Sequence, residues 1–243
     1  MLGIGNDLVG GSYAAVNRGY SLSFDGSNDM LTLANSLNLG TTDFSWSFWI
    51  NSPIDNSSSA YIISKRNGNT DNALVFIDSN KKIRTQFKGN NTNVFVKVGA
   101  SSLAPLADTW INVCVSVDRD GNGGVYINGT TDTYGVALTS ASNSSQTLDS
   151  SVDWSFGSFS PTTWDQGIEM FMTDLAFFNV ALSAAEVTAI YNNGVPGDLL
   201  GHSQSSALTA YWRFNENTGT TVADEIGSND LTIDGATWST NVP

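Results

Sequence analysis

Residues 44–51, FSWSFWIN, alternate with a period of two. Phe44, Trp46, Phe48 and Ile50 fall on one side of an extended chain, and Ser45, Ser47 and Asn51 on the other. Successive side chains of a strand point to opposite faces, so the pattern specifies a strand with one face in an apolar core. It excludes a helix, whose apolar positions recur every three to four residues. Trp49 is the exception, a large apolar side chain on the second face. The pattern returns at the start of the chain, where Tyr20, Leu22 and Phe24 oppose Ser21, Ser23 and Asp25. Further strands are expected over 30–33, 61–65, 73–77, 82–87, 94–98, 111–118, 124–127, 153–157, 168–179 and 209–214. The Gly-, Asn- and Asp-rich segments DGSND, KRNGNTDN, KGNNTN, DRDGNGG and INGTTD mark the turns, because these residues tolerate positive φ. Turn signals every ~8 to 12 residues belong to a sandwich or barrel.

One helix is expected, in LSAAEVTAIYNNG. Ser183 caps it with Glu186 three residues on, Leu182 and Val187 are spaced for a hydrophobic staple, and Gly194 follows its end. At about ten residues it would plug one end of a sandwich. No linker of convincing length divides the 243 residues. The expected organisation is a glycine-rich N-terminal arm over residues 1–19 and one β-sandwich over 20–243.

Charged residues make up 14% of the chain, well below the roughly 25% of an average globular protein. The net charge of −13 excludes nucleic acid as a partner, since backbone binding needs clustered cations. Seven of the ten basic residues nonetheless lie between positions 65 and 97. Lys82, Arg84 and Lys88 share one strand face opposite Ile83, Thr85 and Phe87. That face is either a solvated sheet surface or a docking patch for an acidic partner. The single cysteine, Cys114, lies with Asn112 and Ser116 opposite Ile111, Val113, Val115 and Val117 and reads as structural. No run of about 18 apolar residues suggests membrane insertion, and the first residues lack the basic and apolar regions of a signal peptide.

The segment YSLSFDGSNDMLTLANSLNLGTTDFSWSFWI resembles the laminin-G-like group of the concanavalin A-like lectin/glucanase superfamily. Three later stretches resemble it in order: DTWINVCVSVDRDGNGGVYINGT, FMTDLAFFNVALSAAEVTAIYNNG and AYWRFNENTGTTVADEIGSNDLTIDGATW. The resemblance implies an all-β fold, a concanavalin A-like jelly-roll sandwich of two antiparallel sheets with one short capped helix. In many relatives the segment resembling 210–238 precedes the FDG strand, whereas here it comes last. It would therefore close the fold, with Trp212 and Phe214 in the core and the loop 215–230 near the FDGSND turn. Calcium-binding relatives further imply calcium as cofactor, held by Asp25, Asp29, Glu216 and Asp230 at one end of the sandwich. The alternative is that Asp25 caps local backbone and the acidic loop is solvated.

The superfamily includes glucanases, which need two carboxylates about 5 to 9.5 Å apart. The E-x-D-x-E strand pattern is absent, and EMFMTD places Glu169 and Asp174 on opposite faces. His202, the single histidine, sits in the polar stretch GHSQSS without a triad partner. The chain is therefore not expected to be an enzyme. Two non-catalytic roles remain. One is carbohydrate binding, with Trp164 as stacking platform beside Asp165 and Gln166, unless Trp164 folds back over a sheet edge. The other is a virion-surface module, a capsid decoration or head-fibre protein resembling bacteriophage structural proteins that carry this domain. The expected partners are capsid or other virion proteins and cell-surface glycans, and a capsid lattice would favour a homo-oligomer. The expected location is the virion surface, with a cell-surface, calcium-dependent lectin-like domain as the extracellular alternative.

Overall fold

The computed structural model describes residues 18–68, 70–121, 123–134 and 145–243. The expected glycine-rich arm lies outside the described residues except for Arg18 and Gly19. In chain order the strands are β1 (Ser21–Asp25), β2 (Met30–Leu33), β3 (Phe44–Asn51), β4 (Ala60–Asn67), β5 (Asp71–Ile77) and β6 (Ile83–Gly89). Next come β7 (Thr92–Gly99), β8 (Ile111–Val117), β9 (Gly124–Ile127), β10 (Thr130–Thr131), β11 (Thr133–Tyr134) and β12 (Trp154–Phe156). The last are β13 (Glu169–Phe178), β14 (Leu208–Trp212), β15 (Thr221–Val222), β16 (Leu231–Asp234) and β17 (Thr237–Ser239). One sheet has the order β10-β9-β8-β3-β13-β1-β17, with β14 also on β13; the other runs β11-β7-β6-β5-β4-β12-β2-β16-β15. Every pairing is antiparallel.

The expected alternation places the core. Phe44, Trp46, Phe48 and Ile50 of β3 are buried between the sheets with Trp154 and Phe156 of β12. Trp46 stacks on Phe177 at 4.9 Å between ring centroids, while Trp154 and Trp212 meet Phe177 edge-on at 5.3 and 5.5 Å. Such contacts add about 0.5–1.5 kcal/mol per pair beyond the area they remove from water. Trp212 and Phe214 are both fully buried. The pairing of tail with head is made by later residues: β17 lies on β1 and β16 on β2, one closure in each sheet.

The helix departs from expectation. Helix α1 (Ala184–Tyr191) has its capping box, with Ser183 and Glu186 each accepting from the other's backbone N–H. It does not plug an end of the sandwich. Val187 and Ile190 pack with Cys114, Ala176, Phe178 and Tyr211 on the outer face of the first sheet. This explains the second-face Trp49, which stacks on Tyr191 at 5.9 Å, and it buries Cys114, whose thiol is pushed up by desolvation. Asn192, at φ 47°, ends the helix two residues before Gly194.

Strand β13 is shared by two partners on one edge: Glu169–Met172 pair with β1, and Leu175–Phe178 with β14. Where the partners meet, the register with β3 shifts between Thr173 and Ala176, and Asp174 takes a φ of 52°. Thr173 Oγ1 donates to the carbonyls of Arg213 and Tyr20, at 3.1 and 3.4 Å, closing the gap. Asp174 is turned into the outer layer, where it meets Arg18: Nε donates to Oδ2 at 2.7 Å, and Nη2 lies 2.5 Å from Oδ1. The Tyr211 hydroxyl donates to Asp174 Oδ1 at 2.8 Å.

Candidate functional site

Residues 158–166 form a loop fastened to the outer face of the second sheet. Asp165 and Gln166 close it through their carbonyls, which accept from Phe159 N at 2.9 Å and Tyr61 N at 3.0 Å. Ser158 Oγ accepts from the N–H of Asp165 at 3.3 Å inside it, and Ser64 Oγ donates to Phe159 O at 2.8 Å below it. Phe159 packs on Tyr61, with Arg66 over its ring at 4.4 Å. Trp164 sits at the top and is 52% exposed, so it does not fold back over the sheet edge. The side chains of Asp165 and Gln166 are exposed beside it.

The loop leads into a polar cleft of about 200 Å³ lined by Asp25, Gly26, Ser52, Asp55, Gly167 and Glu169. The cleft requires glycine at Gly26 and Gly167. Gly26 has φ 75°, and a Cβ there would lie 2.9 Å from Glu169 N; one on Gly167 would lie 2.7 Å from Gly26 O. Asp55 and Glu169 are contributors that sequence reasoning missed. Three distant segments converge through the pairing of Asp25 with Glu169 and of Asn51, just before Ser52, with Phe171, and nothing in the local sequence announces it.

The four carboxylates expected to share calcium are divided by the sheet register. Asp234, not Asp230, pairs with Met30 beside the FDGSND turn. Asp230 lies four residues earlier, roughly 13 Å away at about 3.3 Å per residue. The charges that raise the Asp29 carboxyl, after desolvation, are accordingly those of Asp25 and Asp234. Each expected ligand also holds backbone. Asp25 Oδ1 accepts from Ser27 N and Asn28 N, Asp29 Oδ2 from Asp25 N, Glu216 Oε1 from Ala223 N and Asp230 Oδ1 from Asp224 N. Among the described residues no group of three or more His, Cys, Asp or Glu side chains is arranged to hold a metal, so these four do not fit a shared calcium. The organiser of the C-terminal loop is Asp224, which accepts from the N–H groups of Tyr211, Ile226 and Asn229.

Asp174 is committed to Arg18 and Tyr211, and Glu169 is exposed at the start of β13. His202 is buried: Nδ1 accepts from Gln204 N at 3.0 Å, and Nε2 lies 3.3 Å from Glu186 O. That carbonyl can only accept, so Nε2 carries the proton of a neutral ring, and burial holds the His202 pKa below its usual value. On the outward face of β6, Arg84 is exposed, while Lys82 and Lys88 are half-buried. Lys82 Nζ donates to Ala100 O and Lys88 Nζ to Asn91 Oδ1.

Lys65, from the same basic window, is only 2% exposed. Its Nζ donates to Asn35 Oδ1, Ser36 O and Asn38 Oδ1 at 2.8–3.0 Å and lies 5.0 Å from the Trp154 ring. Desolvation lowers its pKa from 10.5 to about 8. Between these values the unfolded chain holds a proton that the folded chain has released, so this residue's contribution to stability rises with pH across the window. The melting temperature of the native protein should therefore gain on that of Lys65→Met between pH 8 and 10.5. A constant difference would contradict a depressed lysine.

Two facing antiparallel sheets with one short capped helix on an outer face define a class, the concanavalin A-like sandwiches. The chain belongs to the laminin-G family of the Concanavalin A-like lectin/glucanases superfamily, whose model matches residues 25–188. No curated protein sequence matches it. Among solved structures, a carbohydrate-binding candidate from Bacteroides ovatus is similar with a TM-score of 0.69 and 16% identity, over 94% of this chain and 61% of its own. The chain thus spans about three fifths of that protein's length. The heptameric SAP-like pentraxin of Limulus polyphemus is similar with a TM-score of 0.55 and 14% identity, over 90% of this chain and 97% of its own. The binding domain of Paraclostridial Mosquitocidal Protein 1 gives 0.53 and 14%, over 76% and 48%.

Proposed function

We propose that the chain is a non-catalytic, lectin-like carbohydrate-binding module that seats a sugar ring on Trp164. Asp165, Gln166 and the carboxylates of the adjacent cleft would receive its hydroxyls. The observation that carries this reading is Trp164 itself, 52% exposed on a loop whose backbone is tied to the sheet beneath. An exposed indole on a rigid loop offers a flat apolar face at little ordering cost, and acceptor side chains beside it orient a polyol. The similar Bacteroides ovatus protein, itself a candidate for carbohydrate binding, supports the same chemistry.

A glycan array followed by calorimetry on the strongest hit tests it. Trp164→Ala should weaken binding at least about tenfold, the loss of one well-packed aromatic contact, with the melting temperature unchanged. Silence across the array, or full affinity in the variant, would remove the proposal. The virion surface, with capsid proteins as partners, is a second place where the same chemistry would act. The similarity to a carbohydrate-binding candidate from Bacteroides ovatus favours glycan recognition over a decoration role. Co-fractionation with intact virions decides the location.

A further inference from the structure

The loop that carries Trp164 rests on a row of side chains crossing the second sheet. Strand pairing sets Tyr61 of β4 opposite Phe76 of β5, Phe76 opposite Arg84 of β6, and Arg84 opposite Val98 of β7. Tyr61 and Phe76 cluster with Phe159 apart from the main core, so the row lies on the outer face. Phe159 packs on Tyr61 at 4.5 Å between ring centroids, and Tyr61 stacks on Phe76 at 4.8 Å. With strands ~4.8 Å apart, Arg84 stands roughly 10 Å from Tyr61 along this row. A short oligosaccharide leaving Trp164 over the sheet would run along it.

This face is cationic where the cleft is acidic. Residues 65–97 hold seven basic side chains and only two acids, Asp71 and Asp78, in a chain of net charge −13, so an anion is drawn here rather than elsewhere. Lys82 and Lys88 are engaged by Ala100 O and Asn91 Oδ1. Arg84 is exposed and makes no ion pair among the described residues. Burial raises the Tyr61 hydroxyl, and the charges that act on it are those of Arg66, Asp165 and Arg84. Both guanidinium groups thus gather around the ring on which the loop sits, with the carboxylate that follows Trp164. The cleft, lined by Asp25, Asp55 and Glu169, lies instead at the end of the sheet, where Ala60 begins β4. A ligand spanning the loop meets acceptors on one side, which suit hydroxyls, and guanidinium forks on the other, which suit a carboxylate.

Resting on the sugar reading above, we propose that the ligand is an acidic saccharide: one ring stacks on Trp164, and the carboxylate of a neighbouring unit is received by Arg84 with Arg66 beside it. Calorimetry compares short oligosaccharides of glucuronate and galacturonate with their glucose and galactose counterparts, pairs that differ in a carboxylate in place of a hydroxymethyl group. The acidic member of at least one pair should bind about three- to tenfold more tightly, the worth of a charged hydrogen bond discounted for exposure. Added salt should erode that margin. Arg84→Gln should cancel it while leaving the neutral member's affinity and the melting temperature as they were, whereas Trp164→Ala should weaken both members. Equal affinities within every pair, no binding of any uronate, or a margin that survives Arg84→Gln would overturn the proposal. Neutral sugars bound through Trp164 would then leave the sugar reading standing, and silence of acidic and neutral glycans alike would remove both.

Discussion

A chain shortened to end at Asp230 is expected to lose its cooperative unfolding transition. The deletion removes β16 and β17, which close both sheets against the head of the chain. It takes away the fully buried Leu231 and the partly buried Ile233 and Trp238, all packed on the main core. It also removes Asn241, which accepts from Ser21 Oγ at 2.6 Å and from Trp110 Nε1 at 3.0 Å. Burying a leucine contributes about 1.5–3 kcal/mol, and each net ladder hydrogen bond about 1 kcal/mol. The loss is thus comparable with the ~5–15 kcal/mol that holds a typical domain together. Calorimetry should show no two-state endotherm, and β1 and β2 become open edges prone to association. A shortened chain melting within a few degrees of the native one would show that the tail is dispensable.

Asp174→Ala is expected to cost about 3–5 kcal/mol, the range for breaking one partner of a buried ion pair. The magnitude follows from what is left behind: Arg18, whose side chain is fully buried and whose Nη1 already lacks a partner among the described residues. Its remaining contacts are Gly197 O at 3.1 Å and the Tyr211 hydroxyl at 2.6 Å. The double replacement Arg18→Met with Asp174→Leu should recover part of the loss, because it removes both charges from the interior. Urea unfolding of the native protein and both variants checks this. Equal destabilisation by single and double variants would mean that the backbone at the β13 bulge, rather than the charge, sets the cost.

Much of the fold was legible because alternation is a local signal: the residues of 44–50 that alternate are those that sort between core and outer face. The helix was legible from its cap, but its placement was not, since Val187 and Ile190 do not declare which surface they will cover. Trp49 was the available clue, a tryptophan on the face that ought to have been polar. Asp174 was read as a carboxylate on a regular strand. It lies in FMTDLAFF, where a lone acid within an apolar run signals paired burial, yet its partner is 156 residues away. Lys65, followed by an arginine and a turn, reads as surface, and only the fold of 35–38 around it shows otherwise. The exposure of Trp164 was legible because a tryptophan among Pro, Thr and Asp has little sequence reason to be buried. The cleft was invisible, being made by register between strands far apart in the chain.

The neighbouring first and last strands also govern how the molecule would carry a load. Ser21 pairs with Ser239, so the flanking chain leaves β1 and β17 from the same end of their antiparallel ladder. Tension applied through both flanks would open that ladder one rung at a time, since its hydrogen bonds lie perpendicular to the strands. Peeling of this kind resists far less force than sliding two strands past each other. Under traction the sandwich is built to yield first at its own seam.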